Sequence, residues 1–312
     1  MAARAELIED RGAAAESADF FRSPPFLDAE GVTHTLRVEA AEVTAALPVI
    51  VREVPGSERR DAISPYGYPG GRIERGNPPA PEPAEVDWSG SGLVSAFIRE
   101  RIGDPPALAG GTPRSVVQVH DPQATPATRS RFAEQIRRNE RRGYTVEAVP
   151  GPETGAAQRL RFARAYAETM RRAAAAERYL YRPSYFDAVL GFERSWLLLA
   201  TARDGAACAG AIAAVSDGVL HYYLGGTADE HLADSPFKNV VAGMRDLADE
   251  LGMALNLGGG VTTGDGLEDF KRGFANRELD FRTHEIVCDP AVYEQLSGGR
   301  RRTGFFPAYR AP

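Results

Sequence analysis

The order of predicted elements in residues 155–288 constrains the fold of this chain more than any other feature. A long helix is predicted over residues 155–176, because its apolar side chains recur on one side. Three predicted strands follow, and the Asp-Gly turn signals in their short links RDG and SDG predict an antiparallel meander. A helix over residues 236–251, the strand ALNLGG, a glycine-rich turn and the strand LDFRTHEIVC complete the set. The predicted class therefore mixes helices with a mostly antiparallel sheet.

This order is that of an acetyltransferase-like (GNAT-like) domain, and a shorter, similar set of elements occurs before residue 150. We therefore predict an α/β (α+β) protein with two GNAT-like domains, each a mixed, mostly antiparallel sheet flanked by helices. The cleft between two such domains is the natural place for a site. The predicted boundaries are 1–18 for a flexible N-terminus, 19–150 for the first domain, 151–298 for the second and 299–312 for a C-terminal tail.

Two helices are predicted in the first half of the chain. The first begins near Ser89 or Ser91, either of which can cap it, and runs to about Arg101. The second covers residues 125–143, with a proline in its first turn and Gly143 at its end. Together with the strands around them, these helices form the predicted first domain.

Composition and charge exclude several classes of protein. The formal net charge of −6 argues against a basic coat for nucleic acid, although it leaves room for a local basic patch. Cys208 and Cys288 are far apart and fit neither a disulfide framework nor a zinc site, and the five histidines show no metal-ligand spacing. The N-terminus lacks an apolar signal core, and the longest apolar run, WLLLATA, is too short to cross a bilayer. We therefore expect a soluble, cytoplasmic protein without a metal and without membrane insertion.

The glycine-rich segment LGGGVTTGDG at residues 257–266 fits neither the P-loop nor the dinucleotide-binding pattern. We interpret it as a tight turn with exposed backbone amides near a ligand. Ordinary acetyltransferases hold the pyrophosphate of acetyl-coenzyme A in a [Q/R]-x-x-G-x-[G/A] loop. No glutamine or arginine of this chain begins that pattern, and the nearest approach, QLSGGR at 295–300, ends in arginine. The sequence thus predicts a GNAT-like fold without coenzyme A as cofactor.

Lysine is nearly absent from this chain. Only Lys238 and Lys271 occur, whereas the other 35 of the 37 basic residues are arginines. Lys271 follows the glycine-rich turn and lies between Phe270 and Phe274. A lysine packed among aromatic rings, with its ammonium group in a cleft, can stabilise a developing oxyanion. The alternative is an ordinary solvated lysine.

Arginines crowd the helix predicted over residues 125–143. One interpretation is a solvated helix face, and the other is a ridge that contacts the phosphates of RNA. The residues taken as candidate tRNA contacts are Arg137, Arg138, Arg141 and Arg142.

Five groups of segments, in order along residues 63–288, resemble the Fem family of aminoacyl-tRNA-dependent peptidyltransferases. They are SPYGYPGG, YAETMRRAAAAERYLY, HYYLGGT, SPFKNVV with DLADELGMALNLGGG, and DFKRGF. The resemblance implies two GNAT-like domains and the transfer of an amino acid from its tRNA ester to an amine, without coenzyme A. It also implies a peptidyl acceptor, either a peptidoglycan precursor or, in one branch, a peptidyl-nucleoside antibiotic extended for example by alanine. Because the chain has no long helical arm, we favour the antibiotic-type acceptor.

The resemblance also implies roles for individual residues and partners. A Phe-Lys pair of the family stabilises the tetrahedral intermediate, and it corresponds here to Phe270 and Lys271. The predicted partners are aminoacyl-tRNA and the peptidyl acceptor, with no stable protein partner. Two alternatives stay open, namely an acyl-coenzyme A-dependent N-acyltransferase and a non-catalytic binding protein on the same scaffold. The predicted substrate-binding residues are Tyr66, Tyr68, Tyr222, Gly258, Gly259 and Gly260.

Overall fold

The computed structural model describes residues 2–103, 105–262, 264–298 and 304–311. The strands are β1 (Ala3–Ile8), β2 (His34–Glu39), β3 (Thr44–Glu53), β4 (Arg60–Ile63), β5 (Arg72–Arg75), β6 (Val86–Asp87), β7 (Ser95–Arg99), β8 (Thr112–His120), β9 (Thr145–Pro150), β10 (Ser195–Thr201), β11 (Ala207–Ser216), β12 (Val219–Thr227), β13 (Leu255–Gly258) and β14 (Arg277–Val287). The helices are α1 (Pro24–Ala29), α2 (Ser130–Arg141), α3 (Ala156–Arg172), α4 (Pro183–Leu190), α5 (Phe237–Leu251), α6 (Gly266–Arg272) and α7 (Pro290–Ser297).

The chain divides into two compact units. Unit 1 combines the residues up to 114 with those from 280 onward, and unit 2 comprises residues 115–279. This division differs from the boundary predicted at residue 150, because the segment 115–150 lies with unit 2. Within unit 2, β8 pairs with β13 and β9 pairs with β10. Pairing between strands so distant in the sequence cannot be predicted from local sequence patterns.

Unit 1 contains a mixed, mostly antiparallel sheet. Its strand order is β6-β1-β2-β3-β4-β7-β14, and β5 also pairs with β3. The pairs β1–β6 and β4–β7 are parallel, whereas β1–β2, β2–β3, β3–β4 and β7–β14 are antiparallel. The prediction of a flexible start over residues 1–18 is wrong for β1, because its alternate residues Ala3 and Ala5 are buried in the core of the unit.

The helix predicted from Ser89 or Ser91 to Arg101 is also wrong. A single 3-10 turn covers Ser89–Ser91, and the chain then enters strand β7. This strand pairs on one side with β4 and on the other with β14, and it buries Ala96 and Ile98. Pairing with two partners thus overrides the local helical pattern.

Unit 2 contains the predicted antiparallel meander of β10, β11 and β12. The helix α5 then crosses to β13, which pairs parallel to β12 and antiparallel to β8. The strand order is β8-β13-β12-β11-β10-β9. Helix α5 packs on the sheet through apolar side chains that include Val240, Val241 and Met244. The observed order of α3, β10, β11, β12, α5 and β13 is the order that the sequence predicts.

Helix α2 starts at Ser130, five residues later than predicted. The reason is tertiary, because Asn276 binds the backbone of the preceding segment. Its side chain accepts a hydrogen bond from the Asp121 amide at 2.8 Å and donates to the carbonyls of Asp121 and Thr125 at 2.9 and 3.3 Å. These contacts hold the chain up to Thr125 outside the helix, and the Arg129 amide donates to the Gly273 carbonyl at 2.9 Å just before the helix begins.

A bilayer-spanning helix needs a long, apolar sequence. Within the described ranges of the chain, no helix meets that requirement.

Candidate functional site

Lys271 lies on α6 in unit 2 with its side chain buried. The residue is only 8% exposed, and its Nζ donates a hydrogen bond to the Gly259 carbonyl oxygen at 2.7 Å. The same Nζ lies 5.5 Å from the ring centroid of Tyr222. Among the residues that the structure describes, no carboxylate forms an ion pair with this ammonium group. The alternative of a solvated surface lysine is therefore wrong.

Burial sets the ionisation of this group. Loss of solvation lowers the pKa of Lys271 to about 8, and the negative charge of Asp265 opposes that shift. At neutral pH the ammonium form still dominates, but it is poorly solvated. A substrate oxygen that becomes negative would therefore find a cation with little competing solvation.

Phe270, the other predicted catalytic residue, lies in an aromatic cluster that we define as Phe132, Tyr222, Phe237, Phe270 and Phe274. The ring of Phe270 lies 5.7, 5.5 and 6.2 Å from those of Phe132, Phe274 and Phe237. Phe237 in turn lies 5.6 Å from Tyr222. This packing fixes the last turn of α6, on which the lysine stands.

Lys238 contacts the same aromatic cluster from another place. Its Nζ lies 5.1 Å from the ring centroid of Phe132. Both lysines of the chain thus lie over aromatic rings of this cluster. Burial and the nearby positive charge of Arg131 lower the pKa of Lys238.

Each of the three predicted glycines has a structural role. Gly258 has a φ of +76°, which side chains rarely tolerate. A Cβ atom at Gly259 would lie 2.6 Å from the Val116 carbonyl oxygen, and one at Gly260 would lie 2.4 Å from Asp265 Oδ1. The glycines therefore let the backbone approach its neighbours closely, and their role in substrate binding stays a prediction.

The expectation of exposed amides in the glycine-rich turn is wrong for three of them. The Val261 and Thr262 amides donate to the Asp265 carboxylate at 2.6 and 2.9 Å, and the Gly264 amide donates to Glu268 at 2.8 Å. Asp265 also caps α6 by accepting from the Glu268 amide at 2.8 Å. These hydrogen bonds with backbone amides lower the pKa of Asp265. The carboxylates of Asp265 and Glu268 thus bind these three amides, which are not free to bind a ligand.

A buried polar network lies beside this turn, and sequence reasoning did not identify its centre, Asn256. The Asn256 side chain donates to His221 Nδ1 at 3.1 Å and accepts from the Gly258 amide at 2.8 Å. Burial lowers the pKa of His221 to about 4, so the ring is neutral and its Nε2 donates to the Ser216 carbonyl at 3.3 Å. The available signal was a polar residue within the apolar strand ALNLGG.

Tyr66 and Tyr68 belong to unit 1. Tyr68 packs edge-on against Phe281 and Phe21, with ring centroids 5.0 and 5.7 Å apart. Tyr66 is exposed, and its amide donates to Glu30 at 2.9 Å. Of the predicted site residues, the fold of unit 2 therefore brings together Lys271 with Tyr222, Phe270 and the glycines, whereas the two tyrosines stay predictions in the other unit.

The candidate tRNA contacts on α2 and at its end are exposed. Arg142 pairs with Asp234. Arg137, Arg138 and Arg141 form no ion pair within the part of the chain that is described. Three unneutralised guanidinium groups thus lie on one helix of unit 2.

Neither cysteine has the properties of a nucleophile. Both are buried, and burial raises the pKa of Cys208 to about 11 and that of Cys288 to about 12. Over the described residues, no group of side chains has the composition of a metal site.

Comparisons with known proteins agree with this architecture. Residues 127–272, which lie within unit 2, match the family model described as an acetyltransferase (GNAT) domain. The structure of FemX is similar over 90% of this chain and 94% of that chain, with a TM-score of 0.62 and 12% identity. A comparison with curated protein sequences finds no match.

Two further solved structures have the same fold. One is the C-terminal domain of a putative lysylphosphatidylglycerol synthetase from Agrobacterium fabrum, with a TM-score of 0.55 and 13% identity over 85% of this chain and 87% of that one. The other is L-PGS from Bacillus licheniformis, with a TM-score of 0.53 and 12% identity over 89% and 95% of the two chains. The chain thus has a GNAT-like fold, which confirms the fold predicted from the sequence.

Proposed function

We propose that this GNAT-fold protein is an aminoacyl-tRNA-dependent aminoacyltransferase that forms a peptide bond on the amine of a peptidyl acceptor. The observation that carries the proposal is the buried ammonium group of Lys271, which has no carboxylate partner among the described residues. A buried charge is costly unless something compensates it. A transient oxyanion of the substrate supplies such compensation at the moment of reaction.

The chemistry needs little beyond positioning and charge. The ester of an aminoacyl-tRNA is already activated, so juxtaposition with a neutral amine supplies much of the rate. The amine nitrogen attacks the ester carbon, and the carbonyl oxygen becomes an oxyanion that the ammonium group of Lys271 stabilises. The intermediate then expels the ribose hydroxyl oxygen, which takes up a proton as the nitrogen loses one. The products are an amide and free tRNA.

Lys271→Met is the direct test of this mechanism. We expect kcat to fall about 10²- to 10³-fold, as for the loss of one donor to an oxyanion. Lys238→Met is a matched control, because it removes the other lysine of the chain over the same aromatic cluster. Turnover of Lys271→Met within a few-fold of the unaltered protein would contradict the assignment.

The acceptor is a separate question with its own experiment. We propose an amine of a peptidyl-nucleoside antibiotic or of a peptidoglycan precursor. The protein is incubated with a mixture of radiolabelled aminoacyl-tRNAs and each candidate acceptor. Label that resists mild alkali identifies the amide, because the tRNA ester is hydrolysed. Since one of the similar structures is named as a putative lysylphosphatidylglycerol synthetase, vesicles of phosphatidylglycerol are included. This lipid has hydroxyl groups and no amine, so its label would be an alkali-labile ester and is measured in the lipid extract before the alkali step. Label in the lipid alone would contradict a peptidyl acceptor.

A second candidate is an acyl-coenzyme A-dependent N-acyltransferase. The match of residues 127–272 to the acetyltransferase (GNAT) domain favours it. The absence of the pyrophosphate-binding pattern from the sequence opposes it. Calorimetric titration with acetyl-coenzyme A separates the candidates, since micromolar binding would favour the second and no binding the first.

A further inference from the structure

We propose that Asn256 and His221 are positioning residues, which hold the ammonium group of Lys271 in place through the glycine-rich turn. The expected effect on kcat rests on the proposed function, whereas the expected effect on the titration of Lys271 does not. A continuous series of hydrogen bonds and one peptide link connects the buried ring of His221 to the lysine.

The series consists of four hydrogen bonds. His221 Nε2 donates to the Ser216 carbonyl at 3.3 Å, and His221 Nδ1 accepts from Asn256 Nδ2 at 3.1 Å. Asn256 Oδ1 accepts from the Gly258 amide at 2.8 Å. One residue further along, the Gly259 carbonyl accepts from Lys271 Nζ at 2.7 Å.

Burial makes each member of this series difficult to replace. Asn256 is fully buried and His221 is 1% exposed, so water cannot take the place of a lost partner. The Asn256 amide needs an acceptor for its NH₂ group and a donor for its oxygen. The neutral His221 ring and the Gly258 amide supply one each, which fixes the orientation of the side chain.

The glycine-rich turn depends on this network for its position. The turn contains no side chain that could anchor it between Gly258 and Gly260, so hydrogen bonds must define its position. Asn256 holds the turn where it leaves β13, and Asp265 holds it where it enters α6. The Gly259 carbonyl lies between these two anchors.

This carbonyl orients the lysine. An ammonium group has three N–H donors, and the Gly259 carbonyl takes one of them. This contact gives the other two a defined direction, and no hydrogen-bond acceptor among the described residues takes them. In the proposed mechanism they bind the substrate oxygen. If Asn256 or His221 is removed, we expect the turn to relax, water to reach Nζ and the geometry for the oxyanion to be lost.

The scarcity of lysine makes a direct measurement possible. Protein labelled with ¹³C at the lysine Cε gives only two lysine signals by NMR, and Lys271→Met assigns them. In Asn256→Leu and His221→Phe, we expect the Lys271 signal to titrate at higher pH than in the unaltered protein, nearer the ordinary lysine value. We also expect kcat to fall by roughly 10- to 100-fold, with KM for aminoacyl-tRNA changed much less.

Two further variants provide the controls. His221→Gln keeps an acceptor for Asn256 and a donor for Ser216, so it should restore most of the activity and the lysine titration. Asn139→Leu removes another fully buried asparagine of unit 2, which binds the Asp234 carbonyl and Asn239 at 2.9 and 2.7 Å. It should lower stability without shifting the Lys271 titration.

The outcomes separate this proposal from the proposed function. Folded Asn256→Leu and His221→Phe proteins in which Lys271 titrates as before would overturn the positioning role, even in an active enzyme. A shifted titration in a protein that transfers no amino acid would support the positioning role and remove the proposed function. If Asn256→Leu does not fold, Asn256→Ser makes the same comparison with a smaller change.

Discussion

At the scale of single residues, the chain places Lys271 in an environment where arginine would be a poor substitute. Lys271 is buried beside Tyr222, with its ammonium group on one backbone carbonyl. A guanidinium group is larger, planar and always charged, whereas an amine can lose its proton when it is desolvated. The lowered pKa of Lys271 therefore makes its proposed role in catalysis, and its contribution to the stability of the protein, depend on pH.

The first prediction concerns the pH dependence of kcat. The proposed mechanism uses the protonated form of Lys271, whose pKa is about 8. Activity should therefore decline as the pH rises through about 8. The negative charge of Asp265 raises the pKa of Lys271, so without Asp265 the decline would begin at a lower pH. The measurement is a profile of kcat between pH 6 and pH 10 at saturating substrates. A rate that continues to increase up to pH 10 would show that the ammonium form is not required.

The second prediction concerns stability. Burial lowers the pKa of Lys271 from 10.5 to about 8, so the charged side chain destabilises the folded state at neutral pH. At 1.4 kcal/mol per pH unit, Lys271→Met should raise the free energy of unfolding at pH 7 by up to about 3 kcal/mol. Between pH 8 and 10.5 the unfolded chain binds more protons than the folded one, so the unaltered protein gains stability as the pH rises.

Urea denaturation of both proteins at pH 7 and pH 10 tests this effect. The advantage of the methionine variant should shrink at pH 10, because the folded lysine is neutral there. If the free energies of unfolding of the two proteins differed equally at pH 7 and pH 10, or if the variant were less stable at pH 7, the burial of the charge would be contradicted. Lys238→Met is the control, with a smaller expected gain because Lys238 is less buried.

At the scale of elements, the glycine-rich turn and α6 are held together by the same carboxylate. Asp265 accepts three backbone amides from the turn and the first turn of the helix. A short helix of this kind depends on its cap, because most of its amides at the N-terminus have no partner within the helix. The position of Lys271 at the other end of α6 thus depends on a carboxylate six residues earlier.

The third prediction compares two capping residues. Asp265→Ala should lower the melting temperature more than Asp289→Ala, because Asp289 caps α7 through a single contact with the Val292 amide at 3.1 Å. Only Asp265→Ala should also lower kcat. The contribution of Asp265 should be lost as the pH falls, because its pKa lies below the ordinary value in the folded state. Equal effects of the two substitutions on melting temperature and activity would contradict this account.

At the scale of the whole molecule, a net charge of −6 coexists with an exposed basic helix. Arg137, Arg138 and Arg141 lie on α2 without an ion pair in the described part of the chain. Such a local excess of charge on an acidic protein is the arrangement that a polyanionic substrate would need for a defined orientation. We therefore retain α2 as the proposed contact for tRNA.

The fourth prediction tests this contact through salt. Replacing Arg137, Arg138 and Arg141 together by glutamine should weaken tRNA binding and reduce the slope of log K against log salt by about 2 to 3. The matched control replaces Arg59, Arg60 and Arg75, which are exposed arginines of unit 1 and give the same change in net charge. Filter binding at several salt concentrations measures the tRNA affinity and its salt dependence for each triple variant. Equal slopes for the two triple variants would discard α2 as the tRNA contact.

The sequence by itself determined the second half of the fold, because its patterns there are local. Asp-Gly turns defined the meander of β10 to β12, and apolar periodicity defined α3 and α5. The scarcity of lysine also singled out Lys271. These signals act over a few residues, so no knowledge of the partners was needed.

Only the tertiary structure decided what depends on distant partners. Strand β7 forms in place of a predicted helix because β4 and β14 pair with it, and α2 starts late because Asn276 holds the preceding segment. The network from His221 through Asn256 to the glycine-rich turn joins residues whose proximity exists only after β12 and β13 pair. The burial of Lys271, and hence its lowered pKa, likewise arises from packing that the local sequence does not encode.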